Sequence, residues 1–169
     1  MSLKHATTLI KSLCVRGAVR HARAVFDEMP DRDVVAGTAM LSGYASSGCH
    51  REARDAFRRM LAAGVVPNEF TLSSVLTACR GSGGVCGGGG AALIHAVAVM
   101  RGVDHMPYVV NALIDAYASH GDGLVDARRL FEALEGRRTA ASWTSMIAGY
   151  VRWGQENTGL QLFKSIIQV

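Results

Sequence analysis

The stretch Val34–Asn68, VVAGTAMLSGYASSGCHREARDAFRRMLAAGVVPN, is nearly restated at Ala140–Ile166, AASWTSMIAGYVRWGQENTGLQLFKSI. In each, Thr is followed by Met, an aliphatic residue, Gly-Tyr, a short polar stretch, Gly, and a run that ends near Phe. Self-similarity at a fixed period marks a repeat architecture. Aligned on the polar residue taken to open the helix, five registers emerge at Thr7, Thr38, Ser73, Asn111 and Thr144. They are 31, 35, 38 and 33 residues apart. Each is followed by an apolar pattern, then a break at or near Gly17, Gly48, Gly83, Gly121 or Gly154, then a second amphipathic stretch. In the second unit Ala53, Ala56, Phe57, Met60 and Leu61 recur at helical spacing, which leaves Arg54, Asp55, Arg58 and Arg59 on the other side. The phrases HARAVFDEM, DARRLFEAL and TGLQLFKSI repeat that pattern in other units.

Each unit therefore reads as a helix, a tight turn and a second helix. One such hairpin cannot bury its apolar stripes alone, whereas stacked hairpins share a continuous core. Small residues (Gly43, Ala53, Ala127, Gly149) stand where helices must approach closely. The predicted fold is all-α: an α-solenoid of about five stacked helix-turn-helix units, ten helices, wound as a right-handed superhelix.

Composition agrees. The chain has 169 residues, 49% hydrophobic and 19% charged, which excludes a disordered polymer and allows a sizeable core. The longest strongly apolar run, AALIHAVAVM, is far too short to cross a bilayer, so no membrane association is expected. Four cysteines without paired spacing and without a secretory signal imply reduced thiols. The net charge of +4, with Arg outnumbering Lys 15 to 3, permits a polyanionic partner without requiring one. The first periodic helix begins within a few residues of Met1, and no targeting segment is visible there.

A unit length near 34 suits two helical-repeat families, and residue detail separates them. The tetratricopeptide pattern of an early Trp followed by Leu-Gly and Tyr is absent. The phrases GTAMLSGYASSG, SWTSMIAGYVRWG, VVNALIDAYASHG, ARAVFDEMPDRD and AAGVVPNEFTLSSVLTAC instead resemble pentatricopeptide repeat proteins of the plant type. In that type, ordinary (P), long (L) and short (S) repeats alternate. By this resemblance residues 3–33 are a short repeat, 34–68 an ordinary one and 69–106 a long one. Residues 107–139 are a second short repeat, and 140–169 an ordinary one that stops early. The chain departs from the family pattern in GSGGVCGGGG, read as a hairpin linker over Gly81–Gly90, and in extra residues within HGDGLVDA and EGRRTA. The fifth unit lacks its closing turn, so a truncated member or a fragment is expected.

The resemblance implies single-stranded RNA as partner, with one base read per repeat, in editing-site recognition, splicing, cleavage or stabilisation of RNA in a mitochondrion or chloroplast. Other RNA-processing proteins are further partners it implies. It implies no enzyme activity, no cofactor and no small-molecule substrate. In the family, the polar residue opening the first helix and the last residue of the repeat choose the base, while a branched apolar residue packs on base faces. Carried over by position, the pairs are Thr7 with Asp33, Thr38 with Asn68, Ser73 with Met106, and Asn111 with Thr139. Thr144 stands alone, Val35 matches the base-packing position, and Arg152, at the end of a first helix, is the phosphate-contact candidate. Lys11 and Arg16 are weaker ones.

The donor and acceptor inventory suits such a code. Asp accepts only, as the N–H groups of guanine require; Asn offers a donor and an acceptor, as adenine requires. The expected register is guanine, adenine, any base, a pyrimidine, then undefined. Thr, Ser and Asn also cap helix N-termini, so capping stands beside base reading for these residues. Most arginines lie on second helices (Arg20, Arg23, Arg54, Arg58, Arg59, Arg128, Arg129), where solvation or pairing with Asp55 and Asp126 is expected rather than phosphate binding.

Rival chemistries fail on spacing. His50-Arg51-Glu52 matches half of a zinc-deaminase signature, but the P-C-x-x-C half is missing. The remaining histidines show no ligand spacing. The glycine run lacks the Lys-Ser/Thr ending of a phosphate loop. No nucleophile–base or paired-carboxylate arrangement is seen. A protein–protein scaffold is the alternative function, since helical solenoids generally serve that role.

Overall fold

The computed structural model describes residues 2–80 and 87–167, and among these it holds ten α-helices and no strand. A first compact unit spans Met1–Val85 and contains α1 (Leu3–Val15), α2 (Val19–Asp27), α3 (Val34–Ser46), α4 (His50–Ala62) and α5 (Glu69–Arg80). The second spans Cys86–Val169 and contains α6 (Gly87–Met100), α7 (Pro107–Ala118), α8 (Leu124–Ala133), α9 (Ala140–Arg152) and α10 (Glu156–Ile167). Within the first unit α1, α3 and α5 lie side by side as one layer, and α2 and α4 form a second layer against them. Within the second unit α7 packs on α9, α8 on α7, α10 on α9, and α6 against α7.

The shared Gly-Tyr phrase has a structural role in both units. A Cβ at Gly43 would overlap the Cys14 thiol of α1, and one at Gly149 would lie 2.7 Å from Cβ of Ala118 on α7. Glycine thus lets consecutive first helices touch. The tyrosine beside it takes a partner from the preceding second helix. Nη1 of Arg23 donates to the Tyr44 hydroxyl at 3.0 Å while its Nε pairs with Asp27, one turn on. Arg128 makes the same ion pair with Glu132 one turn on, and the Tyr150 hydroxyl also favours its charged form. These hydrogen bonds hold both guanidinium groups more firmly protonated than usual. Phe57 and Phe131, each 2% exposed, belong to the cores of their respective units.

The turns follow from backbone chemistry. Gly17, Gly48 and Gly154 adopt φ values of 70 to 73°, the left-handed conformation that closes a helix and that other residues resist. The extra residues in HGDGLVDA and EGRRTA are absorbed as 3-10 turns at Gly121–Gly123 and Glu135–Arg137. Of the glycine run expected to form a linker, residues 81–86 lie outside the described residues. Gly87–Gly90 form the first turn of α6 rather than a linker, because the apolar run that follows carries the helix back through them.

Helix starts differ from the sequence expectation. Thr7, Thr38, Ser73, Asn111 and Thr144 do not open their helices. Each is the fifth helical residue, since the helices begin at Leu3, Val34, Glu69, Pro107 and Ala140. The extra turn is nucleated by caps one residue upstream. The Ala36 N–H donates to Oδ1 of Asp33 at 2.8 Å, the Thr71 N–H to Oδ1 of Asn68 at 2.9 Å, and the Ser142 N–H to Oγ1 of Thr139 at 3.2 Å. At α3, α5 and α9 capping is therefore done by the residues that close the preceding predicted unit, whereas Met106 before α7 makes no side-chain cap.

Candidate nucleic-acid interface

In the first unit the layer of α1, α3 and α5, and in the second unit the pair α7 and α9, carry the predicted readers or are capped by them. The readers are joined to different degrees. Thr38, on α3, and Asn68, the cap of α5, are linked through the buried Thr71: the two threonine hydroxyls are 2.7 Å apart, and Oγ1 of Thr71 donates to Oδ1 of Asn68 at 2.8 Å. Asn111 and Thr139 meet directly, the threonine hydroxyl donating to Oδ1 of Asn111 at 3.3 Å. These two pairs bring together residues 30 and 28 positions apart in the chain.

The other candidates are placed differently. Thr7 is buried at 8% exposure, and its hydroxyl donates into its own helix at the Leu3 carbonyl, 2.9 Å away. Asp33 caps α3, and no hydrogen bond joins it to Thr7 among the described contacts. Ser73 is half-buried on α5. Met106 starts α7 with no side-chain capping bond, as its chemistry requires. Thr144 is exposed, and its hydroxyl donates to the Ala140 carbonyl at 2.7 Å. Arg152 is exposed at the end of α9.

Val35, the base-packing candidate, is 46% exposed as the second residue of α3. The equivalent second residues of α5 and α7 are Phe70, 56% exposed, and Tyr108, 70% exposed. Exposed side chains with apolar faces at the same register suit stacking on a flat partner. The sequence reading missed both aromatics, although alignment with Val35 would have found them.

Two groups of arginines differ in their surroundings. Those on second helices are paired or solvated: Arg54 lies 3.8 Å from Asp55 and Arg129 lies 3.3 Å from Asp126, and Arg20, Arg58 and Arg59 are exposed. A second group, Arg32 and Arg138, was overlooked. Each immediately precedes a cap, Asp33 or Thr139, and folds back over the preceding second helix. Nε of Arg32 donates to the Phe26 carbonyl at 3.1 Å, with the guanidinium 5.2 Å from that ring. Nε of Arg138 donates to the Phe131 carbonyl at 3.1 Å, and its guanidinium sits 4.6 Å from Phe131 and 5.6 Å from Trp143. These arginines clamp the caps in place.

Known sequences and structures resemble this chain over both units. A PPR repeat model matches residues 5–34, 108–137 and 141–168, and a PPR repeat family model matches 32–80. The chain belongs to the PPR repeat family. It is 41% identical over 96% of its length to a putative pentatricopeptide repeat-containing protein of Arabidopsis thaliana, of which the match covers 26%. A mitochondrial pentatricopeptide repeat-containing protein of the same plant is 37% identical over 95% of the chain and matches over 25% of its own length. The chain thus spans about a quarter of the length of these PPR relatives. Its fold matches the crystal structure of PPR protein PPR10 in complex with an 18-nt psaJ RNA element, with a TM-score of 0.77 at 20% identity. That match covers 96% of this chain and 24% of PPR10. The helical-repeat fold expected of the sequence is therefore observed.

Proposed function

We propose that this PPR chain binds single-stranded RNA, one base per repeat, in the service of organelle RNA processing. The observation that carries the reading is the hydrogen-bonded union of Thr38 with Asn68 through Thr71, echoed by Asn111 with Thr139. Within each unit, residues at opposite ends of a predicted repeat meet, three positions along the helix from exposed Val35 or Tyr108. Base recognition by two or three side chains per helical repeat needs that arrangement. The RNA-bound structure of PPR10 supports the same partner class.

The proposed repeats are 3–33, 34–68, 69–106, 107–139 and 140–169, alternating in the short, ordinary and long classes of the plant PLS type. A mitochondrial or chloroplast location follows from the family, and the mitochondrial relative supports it. The chain acts as a binder, without catalysis. Selection of an editing site, splicing, cleavage or stabilisation is then performed with other proteins. Thr7 with Asp33, Ser73, Thr144 and Arg152 are proposed as further RNA contacts on their register alone.

The test is a labelled RNA panel varied around 5′-GA, with duplex RNA as competitor. Stacking and edge contacts contribute about 1–3 kcal/mol per base. Two linked pairs predict weak, salt-sensitive binding with a Kd on the order of micromolar or weaker. Equal affinity for duplex and single strand would remove base reading and favour the scaffold alternative.

A further inference from the structure

The Thr38–Thr71–Asn68 cluster permits only one arrangement of its protons. The backbone N–H of Thr71 is a donor, so the Asn68 side-chain atom 2.9 Å from it must be the oxygen. That oxygen also lies 2.8 Å from Oγ1 of Thr71. Two acceptors at that distance repel unless a proton lies between them, so the Thr71 hydroxyl proton points to Asn68. Thr71 has no second proton to give. The 2.7 Å contact with Thr38 therefore takes its proton from Thr38. The Asn68 backbone N–H, 3.3 Å away, is directed at the same Thr71 oxygen.

We infer that Thr71 is a specificity-determining positioning residue of the second repeat: it fixes which polar atoms of the Thr38–Asn68 pair face the base. This rests on the RNA-binding reading above. With both lone pairs of its carbonyl engaged by Thr71, Asn68 keeps only its amide N–H groups for a ligand. With its proton turned to Thr71, Thr38 keeps only lone pairs. The pair presents one donor beside one acceptor, and the acceptor is Thr38 rather than Asn68. Adenine answers with N1 and its N6 amine, and cytosine with N3 and its N4 amine. Guanine and uracil bring a ring N–H to the amide N–H groups and a carbonyl to the threonine lone pairs, a mismatch at both atoms. Thr71 is 0% exposed, so it acts without touching the base.

The grouping separates hydrogen bonding from stacking, because stacking favours both purines over both pyrimidines. The experiment titrates the full chain with four single-stranded RNAs that differ only at the base facing residues 34–68. Expected for the native chain is tighter binding of A than G and of C than U, each by about fivefold or more, the value of one net hydrogen bond. Thr71→Val should bring both ratios towards one while the preference at the base facing residues 107–139 is kept. Thr71→Ser should restore both ratios. If loss of the buried hydroxyl unfolds the chain, Thr38→Val serves instead, since it removes the acceptor and leaves the Thr71–Asn68 cap intact. Unchanged ratios in Thr71→Val, or in Thr38→Val where that variant is used, overturn the inference. RNA binding without an A-over-G preference overturns it and leaves the RNA reading standing; no binding of any of the four overturns both.

Discussion

Replacing Asn68 by Asp separates base reading from general charge, and the structure allows its effect to be worked out atom by atom. The inward oxygen keeps both hydrogen bonds to Thr71, 2.9 and 2.8 Å long, because a carboxylate accepts as the amide carbonyl does. Asp and Asn cap helices about equally well, so stability should change by less than about 0.5 kcal/mol. Only the outward group differs: an N–H donor becomes an oxygen. Adenine loses the partner of N1, worth about 1 kcal/mol, and faces a second acceptor. Guanine gains a charged acceptor for its ring N–H, worth about 1.5–3 kcal/mol. The A-to-G affinity ratio should therefore fall by at least about tenfold, or 1.4 kcal/mol. Fluorescence anisotropy with two RNAs differing in that base measures it, at one salt concentration. The added negative charge lowers both affinities, which is why the ratio is the observable. A ratio that stays constant while both affinities drop would refute the assignment of Asn68 as a reader.

Gly43→Ala should destabilise the chain by about 1–3 kcal/mol through overpacking against Cys14, read by urea denaturation. Adding Cys14→Ala should recover part of that loss, with a coupling on the order of 1 kcal/mol; strict additivity would show that α1 and α3 do not touch there. Glu135 holds φ at 41°, so Glu135→Gly should raise stability by up to about 1 kcal/mol, and a lower melting temperature would contradict the strain. Arg152→Ala should weaken all RNAs alike and flatten the salt dependence by about one charge; a base-dependent loss would mean it contacts an edge rather than phosphate.

The helical pairing was legible because periodicity reports packing, and packing built the pairs. The break at glycines was legible because left-handed closure leaves few alternatives to that residue. Helix starts were not. VVAG at the head of α3 and PYVV at the head of α7 have weak helix propensity, and what makes them helical lies one residue upstream or in neighbouring helices. The pairing of Arg54 and Arg129 with Asp55 and Asp126 followed from local spacing. The clamps by Arg32 and Arg138 depend on a chain reversal that spacing does not report. Thr71 and Ser142 had a faint signal, a hydroxyl three residues after a cap, which is the spacing of a capping box.

Capping and the proposed base reading need not compete at these positions. A side chain at the junction between units can turn one polar atom to the next helix and another to a ligand. Asn68 does so with its oxygen inward and its amide nitrogen outward. Asp33 has a second carboxylate oxygen available beyond the one that caps α3. Thr139 accepts from Ser142 with the same hydroxyl that donates to Asn111. Met106 lacks a strong polar atom and makes no side-chain capping bond. The chemistry that suits this position for recognition is therefore the chemistry that starts a helix. A change of base preference there is structurally cheap only among Asp, Asn, Ser and Thr, while an apolar replacement would weaken the array and its reading together.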